Sequence, residues 1–292
     1  MLFSSMTFIF IFLPIVIALY FIFKKFRNLI LLLASILFYA WGEPKYVVIL
    51  LLTVLIDYFG AIFVDKAEKQ PKKLLILWTV IILNLSVLIY FKYFNFLIDN
   101  INLLFKTNID FIKVIMPIGI SFYTFQALSY VVDVYRKEVK AQKNIFDLAL
   151  YIVMFPQLVA GPIVKYHDVE EQITNRKTDF YMVAEGSKRF ICGLAKKVLI
   201  ANTMGAVADK IFCQPFDTFT PLTAWLGAFA YSFQLFFDFS GYSDMAIGLG
   251  LIFGFKYLEN FNFPYISKSI SEFWRRWHIS LSSWFRDYVY IP

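Results

Sequence analysis

The sequence predicts an all-α polytopic membrane protein, and three observations carry that prediction. Of 292 residues, 60% are hydrophobic and only 17% are charged, with a mean hydropathy of +0.65, well outside the composition of soluble domains. Apolar runs of span length recur along the chain. Its Lys and Arg residues cluster in the short loops between those runs, the pattern that orients helices in a bilayer. The net charge of +7 is therefore divided among loops and does not form a continuous basic surface, which argues against a nucleic-acid partner. Cys192 and Cys213 make neither a disulfide framework nor a metal-ligand spacing. Aromatic residues, at 20%, must share in helix packing.

In chain order, the first span runs from about Thr7 to Phe23, with Pro14 tolerated as an interior kink. No small-residue cleavage site follows it, so it reads as a retained span. Leu29 to Trp41 is short and reads as tilted or re-entrant, and Glu43, Pro44 and Lys45 form a tight turn. Val47 to Val64 and Leu74 to Phe91 are spans, and Lys92 to Asp110 reads as an interfacial helix plus loop. Val114 to Val132 spans again. The basic excess falls in alternate loops, 24–27, 65–73 and 136–143, which the positive-inside rule assigns to the cytoplasm. From Ile145 to Val164, Pro156 and the Gly161-Pro162 pair favour a re-entrant helix pair over a plain span. Tyr166 to Lys197 reads as a polar loop leading into an amphipathic basic helix with Lys188, Arg189, Lys196 and Lys197. Trp225 to Phe255 has the length of a span pair and is broken at Asp238-Phe239-Ser240-Gly241-Tyr242-Ser243-Asp244. The expected organisation is one membrane domain, 1–292, with spanning helices over 7–143, a re-entrant and amphipathic region over 145–197, and a Trp/Arg-rich region over 222–292.

That last region carries the strongest local signal. Ser269 followed by Glu272 is a capping box that predicts a helix start at Ile270. From Ile270 to Tyr288, seven apolar residues, Trp274, Trp277 and Trp284 among them, share one face about 100° wide. Each Arg at mid-bilayer costs about 2.5–3.5 kcal/mol, so a helix with Arg275 and Arg276 belongs in the interface or against a wet cavity. His278 borders the apolar stripe one turn from Trp274, Arg275, Leu281 and Ser282. Its imidazole suits proton transfer or a hydrogen bond to a substrate oxygen, and it equally suits a plain interfacial helix with snorkelling arginines.

Other polar positions leave two readings open. Asp57 sits inside a span, either as a functional carboxylate or as a pair holding two helices together, and Asn84 and Asn95 fit the second role. Asp238, Ser240 and Asp244 either wall an internal cavity or form a buried polar turn. His167, beside Asp168, reads as a surface histidine, and the absence of HxxxH spacing argues against a metal site.

Four strings, PIGISFYTFQALSYVVDVYR (117–136), FPQLVAGPIVKYHD (155–168), FFDFSGYSDMAIGLG (236–250) and NFNFPYISKSISEFWRRWHISLSSWFRDYVYIP (260–292), resemble the membrane-bound O-acyltransferases, most of all the alginate O-acetylation branch. The opening MLFSSMTFIFIFLPI is similar to that branch too. The resemblance implies helices around a central tunnel in a bacterial inner membrane. It implies acetyl-CoA as acyl donor with no tightly bound cofactor, and an extracytoplasmic acetyltransferase partner acting on a cell-surface polysaccharide. It makes His278 the first of two signature positions, with Trp274, Arg275, Ser282, Asp238, Ser240 and Asp244 as substrate or tunnel candidates. In the family the second signature position is a histidine, the base, and it lies further along than these 292 residues. His278 would then orient or polarise the acyl group, and the chain as given is expected to be C-terminally truncated, binding without turnover. Two alternatives are a D-alanyl transferase for teichoic acid fed by a carrier protein and a transporter or channel, for which broken helices and membrane carboxylates also speak.

Overall fold

The computed structural model describes residues 1–111, 114–159, 161–215 and 219–291. Ala160 and Pro292, which belong to the resembling strings, lie outside them. The described residues contain helices and no strand, and four helical stretches are long and apolar enough to cross a membrane: Lys24–Gly42, Pro44–Lys66, Gln70–Phe105 and Phe180–Phe212. They group into two compact units.

The unit built from 23–159 and 165–173 contains α2 (Arg27–Gly42), α3 (Val47–Lys66), α4 (Gln70–Phe105), α5 (Ile120–Arg136), α6 (Ile145–Val153), α7 (Phe155–Leu158) and most of α8 (Tyr166–Asn175). Helix α4 corrects the expected division at Lys92. It continues for 36 residues, about 54 Å at 1.5 Å per residue. Between Lys72 and Phe105 there is no Gly or Pro, and isolated polar residues do not stop a helix. Its end comes at Lys106, in the left-handed region at φ 52°. Asn84 Nδ2 donates to Asp57 Oδ1 at 3.1 Å, so this buried carboxylate ties α3 to α4, the second of its two readings.

The break expected near Pro156 is present: α6 and α7 meet at Met154, and neither is long enough to cross a membrane. Backbone groups freed by a break inside protein need partners. Ser35 Oγ accepts from Phe155 N at 3.0 Å, and Gln126 Nε2 donates to the Tyr151 carbonyl at 2.7 Å. Asn28 Nδ2 donates to Asp147 Oδ1 at 2.9 Å and Gln70 Nε2 to the Tyr135 hydroxyl at 2.9 Å. These bonds gather the basic loops 24–27, 65–73 and 136–143 towards one end of the unit.

The other unit, Met1–Ile22, 161–164 and 174–291, holds α1 (Leu13–Ile22), α9 (Phe180–Ala195), α10 (Asn202–Phe212), α11 (Pro221–Ile252), α12 (Ile270–Arg276) and α13 (Ile279–Phe285). A π-wound turn at Phe8–Phe12 precedes α1, and a second, Lys196–Ala201, joins α9 to α10. The basic helix thus forms one 33-residue stretch with α10, longer than expected. Helix α11 also corrects the sequence reading, running unbroken for 32 residues through the Asp238–Asp244 segment. Gly241 is a packing point and not a break: a Cβ there would stand 2.7 Å from the Gly193 carbonyl oxygen. Gly248 meets the Gly186 carbonyl in the same way at 2.6 Å, so α9 and α11 run antiparallel with their backbones in close approach.

Candidate active site

Ser269 caps α12 as predicted, its side chain accepting from Glu272 N at 3.1 Å. Glu272 Oε2 accepts from Lys268 N at 2.9 Å, and its Oε1 pairs with Arg276 Nε at 2.9 Å, the expected i,i+4 contact. The single helix expected over 270–288 is not formed. Trp277 is extended and His278 is left-handed, at φ 44° and ψ 54°, so the chain breaks between α12 and α13. A non-glycine residue in that region costs about 1–3 kcal/mol and is held only by its surroundings. The segment 260–262 supplies the hold: Asn262 N donates to the Arg276 carbonyl at 2.9 Å, and Ile279 N donates to the Asn260 carbonyl at 2.9 Å. Helical periodicity cannot foresee bonds from a segment 14 to 19 residues upstream.

The break buries His278, which is 7% exposed, with the Phe239 ring of α11 edge-on at 4.7 Å. Burial pushes the imidazole down to about 4, so it is neutral at pH 7. Asn260 Oδ1 faces three groups: His278 Nδ1 at 3.1 Å, Ser280 N at 3.2 Å and Ser280 Oγ at 2.9 Å. A backbone N–H only donates, so the Asn260 atom opposite Ser280 N is the carbonyl oxygen. It follows that His278 carries its proton on Nδ1 and donates it to Asn260, leaving Nε2 as the acceptor. Ile163 N donates to Ser280 Oγ at 3.0 Å, which directs that hydroxyl proton towards Asn260.

Beside Asn260 lies a cavity of about 90 Å³, walled by Lys196, Ser240, Ser243, Asp244, Glu259, Asn260 and the rings of Phe236, Phe261 and Phe263. Ser240 Oγ, Ser243 Oγ and Asn260 Nδ2 are buried with no hydrogen-bond partner. Asp244 Oδ2 accepts from Lys196 at 2.6 Å, and its Oδ1 accepts from Arg189 Nη2 at 2.9 Å. Arg189 also grips Glu259, and Lys197 pairs with Asp238.

Of the residues singled out from the sequence, Ser240 and Asp244 share this cavity, and Asn260 links it to His278. Asp238 faces Lys197 and is not part of the cavity wall. Trp274 and Arg275 are exposed on α12, and Ser282 is half-buried, its backbone N–H donating to the His278 carbonyl at 3.1 Å. Asn260, Ser243 and Glu259 were missed as site residues. The available signal was a polar Asn between two Phe-rich stretches, which has no periodicity to mark it.

In the other unit, His167 lies in the first turn of α8 and not in a loop, with Nδ1 3.5 Å from the buried Asp133 and Nε2 3.2 Å from Asp168. Asp133, Glu138 and His167 place three potential metal-ligating atoms within 4.8 Å of one another, a grouping that residue spacing did not suggest.

The sequence profile of the membrane-bound O-acyltransferase family matches residues 75–292. The probable alginate O-acetylase AlgI of Pseudomonas aeruginosa is 46% identical over 299 residues, taking in all of this chain and 57% of that protein. The peptidoglycan O-acetyltransferase of Helicobacter pylori is 38% identical over 328 residues, again all of this chain and 62% of the relative. The teichoic acid D-alanyltransferase of Bacillus subtilis is 36% identical over 180 residues, 60% of this chain and 45% of the relative. The chain thus spans 57% of the length of the first of these relatives. Profile, whole-chain identity and spanning helices agree: this multi-pass, all-α membrane protein belongs to the membrane-bound O-acyltransferase family.

Proposed function

We propose that this chain carries part of the acyl-transfer site of a bacterial inner-membrane O-acetyltransferase. In this reading acetyl-CoA is the donor on the cytoplasmic side. A cell-surface polysaccharide, alginate or a similar glycan, is the final acceptor, reached through an extracytoplasmic partner protein. The single observation that carries the reading is the buried, neutral His278, held in a strained conformation with its Nδ1 proton engaged by Asn260. The 46% identity to an alginate O-acetylase favours acetyl over other acyl groups.

The transfer forms a bond from an acceptor hydroxyl oxygen to the thioester carbonyl carbon and then breaks the C–S bond. The hydroxyl proton passes to a base, and the departing thiolate takes up a proton. Protein groups contribute by accepting the hydroxyl proton, worth about 10²–10⁴-fold, and by donating to the oxyanion. A His278 protonated on Nδ1 has no proton on Nε2 to give a carbonyl. Its part is therefore to orient, by accepting at Nε2, and not to polarise. Teichoic acid D-alanylation is the second reading, favoured by the 36% identity over 60% of the chain.

The test uses the protein expressed from its own gene in inside-out vesicles, with acetyl-CoA labelled separately in the acetyl group and in the adenine. Capture of acetyl label alone, reduced about 100-fold or more by His278→Ala, is the expected result. Capture of both labels would instead mean transport of the intact donor, and transfer only from a D-alanyl carrier protein would favour the second reading.

A further inference from the structure

We propose that Asp133, Glu138 and His167 form a binding site for one divalent transition-metal ion, zinc by preference, that ties the end of α5 to the start of α8. All three residues belong to one compact unit, and the site is independent of His278 and of the acyl-transfer reading.

The backbone brings two of the ligands together. Helix α5 stops at Lys137, a left-handed residue at φ 65°. Lys137 N donates to the Val134 carbonyl at 3.1 Å, and Glu138 N donates to the Asp133 carbonyl at 2.9 Å. This paired-bond helix stop turns the chain back and sets Glu138 beside Asp133. His167 arrives from the first turn of α8. One ligand atom from each side chain then lies within 4.8 Å of the other two.

Two features beyond that grouping point to a metal ion. The first is how His167 is held. Its Nε2 stands 3.2 Å from Asp168 Oδ1, and its Nδ1 stands 3.5 Å from Asp133 Oδ2. A carboxylate beside the outer nitrogen favours the proton there and leaves the Nδ1 lone pair towards Asp133. A lone pair and a carboxylate oxygen repel unless a positive centre lies between them. The 3.5 Å separation is long for an N–H···O bond, ordinarily about 2.7–3.2 Å. It matches the edge of a zinc coordination tetrahedron, about 3.3–3.5 Å for metal–ligand bonds of about 2.0–2.1 Å. The order carboxylate, imidazole, metal is the one by which proteins orient metal-binding histidines.

The second feature is the contrast in burial. Asp133 is 0% exposed, whereas the His167 side chain is 40% exposed and Glu138 lies at the surface. A carboxylate removed from water is held by a pair or by a metal. The open side admits a cation that keeps part of its water, and the surface Glu138 closes the remaining distance by rotating its side chain. One imidazole with two carboxylates suits zinc, while magnesium and calcium prefer oxygen ligands alone.

The test is zinc binding by the full chain, purified without a histidine tag in a Cys192/Cys213-free background and stripped with a chelator. Titration calorimetry with zinc chloride should give one site of micromolar affinity. His167→Ala and Glu138→Gln should each weaken it more than about 100-fold. Asp168→Asn, a change to the positioning carboxylate, should weaken it about 10–100-fold. X-ray absorption of the zinc-loaded chain should show one imidazole among oxygen ligands. Both ligand variants change surface side chains and should stay folded, which thermal melting without zinc checks. A rise in Tm on adding zinc, in wild type and in neither ligand variant, supports the site. Absence of saturable binding, or wild-type affinity in His167→Ala and Glu138→Gln, would overturn it. Equal affinity for magnesium would overturn the class of metal.

Discussion

Asn260 Oδ1 stands 3.1 Å from Nδ1 of His278, and because the same oxygen accepts from Ser280 N, this contact fixes the tautomer of the imidazole. Eighteen residues separate the two in sequence. The chain brings them together because the backbone of 260–262 pairs with that of 276–279, at the expense of the helix that local periodicity favours.

Replacing Asn260 by Leu leaves the Ser280 hydroxyl, its backbone N–H and the His278 Nδ1 proton without their shared acceptor. The cost is about 1–3 kcal/mol for each buried group left unpaired. Thermal unfolding of the detergent-solubilised protein should occur several degrees lower, and Asn260→Asp, which restores the acceptor, should recover most of that loss. Equal stability of the two variants would contradict the acceptor role.

His278 gives the protein a stability that depends on pH. Its folded pKa of about 4 lies below the ordinary value of 6.5 because of burial. Between those values the unfolded chain binds the proton and the folded chain does not. This contribution is therefore complete above about pH 6.5 and is lost as pH falls towards 4. His278→Asn should flatten the pH dependence of thermal stability in this window, and an unchanged slope would place the titrating group elsewhere.

Close approach of α9 and α11 depends on glycine. A Cβ on Gly193 would lie 2.5 Å from the Gly241 carbonyl oxygen and 2.8 Å from Met245 N. Gly193→Ala should therefore destabilise by about 1–3 kcal/mol and, on the proposed function, lower acetyl transfer as the pairs of Arg189 and Lys196 with Asp244 are pushed apart. Lys188→Ala, on a side chain that is 73% exposed, serves as the neutral comparison.

The basic loops 24–27, 65–73 and 136–143 should all face the cytoplasm. The bonds Asn28–Asp147 and Gln70–Tyr135 draw their neighbourhoods to one end of a single unit, and charge sets the side. Single cysteines at Lys25, Lys69 and Lys140, in a Cys192/Cys213-free chain, should resist an impermeant thiol reagent added to intact cells. Labelling of all three would reverse the orientation, and mixed labelling would break the common end.

Sequence alone determined the class, the family likeness and the broken segment near Pro156, and it singled out His278 as a candidate. Each of these rests on information local to a few turns: apolar run length, loop charge, Pro and Gly positions, or an unusual Trp/Arg/His string. Tertiary structure alone decided three matters. It joined α4 across Lys92 and carried α11 through Ser240 and Gly241, because a helix continues where nothing removes its hydrogen bonds. It broke the helix at His278, because the backbone of 260–262 offers other partners there. And it placed Asn260 against His278 and on one cavity with Ser240 and Ser243, while leaving Trp274 and Arg275 exposed on α12. Which polar atoms share a cavity depends on bonds between segments far apart in the chain, and the periodicity of any single helix carries no record of them.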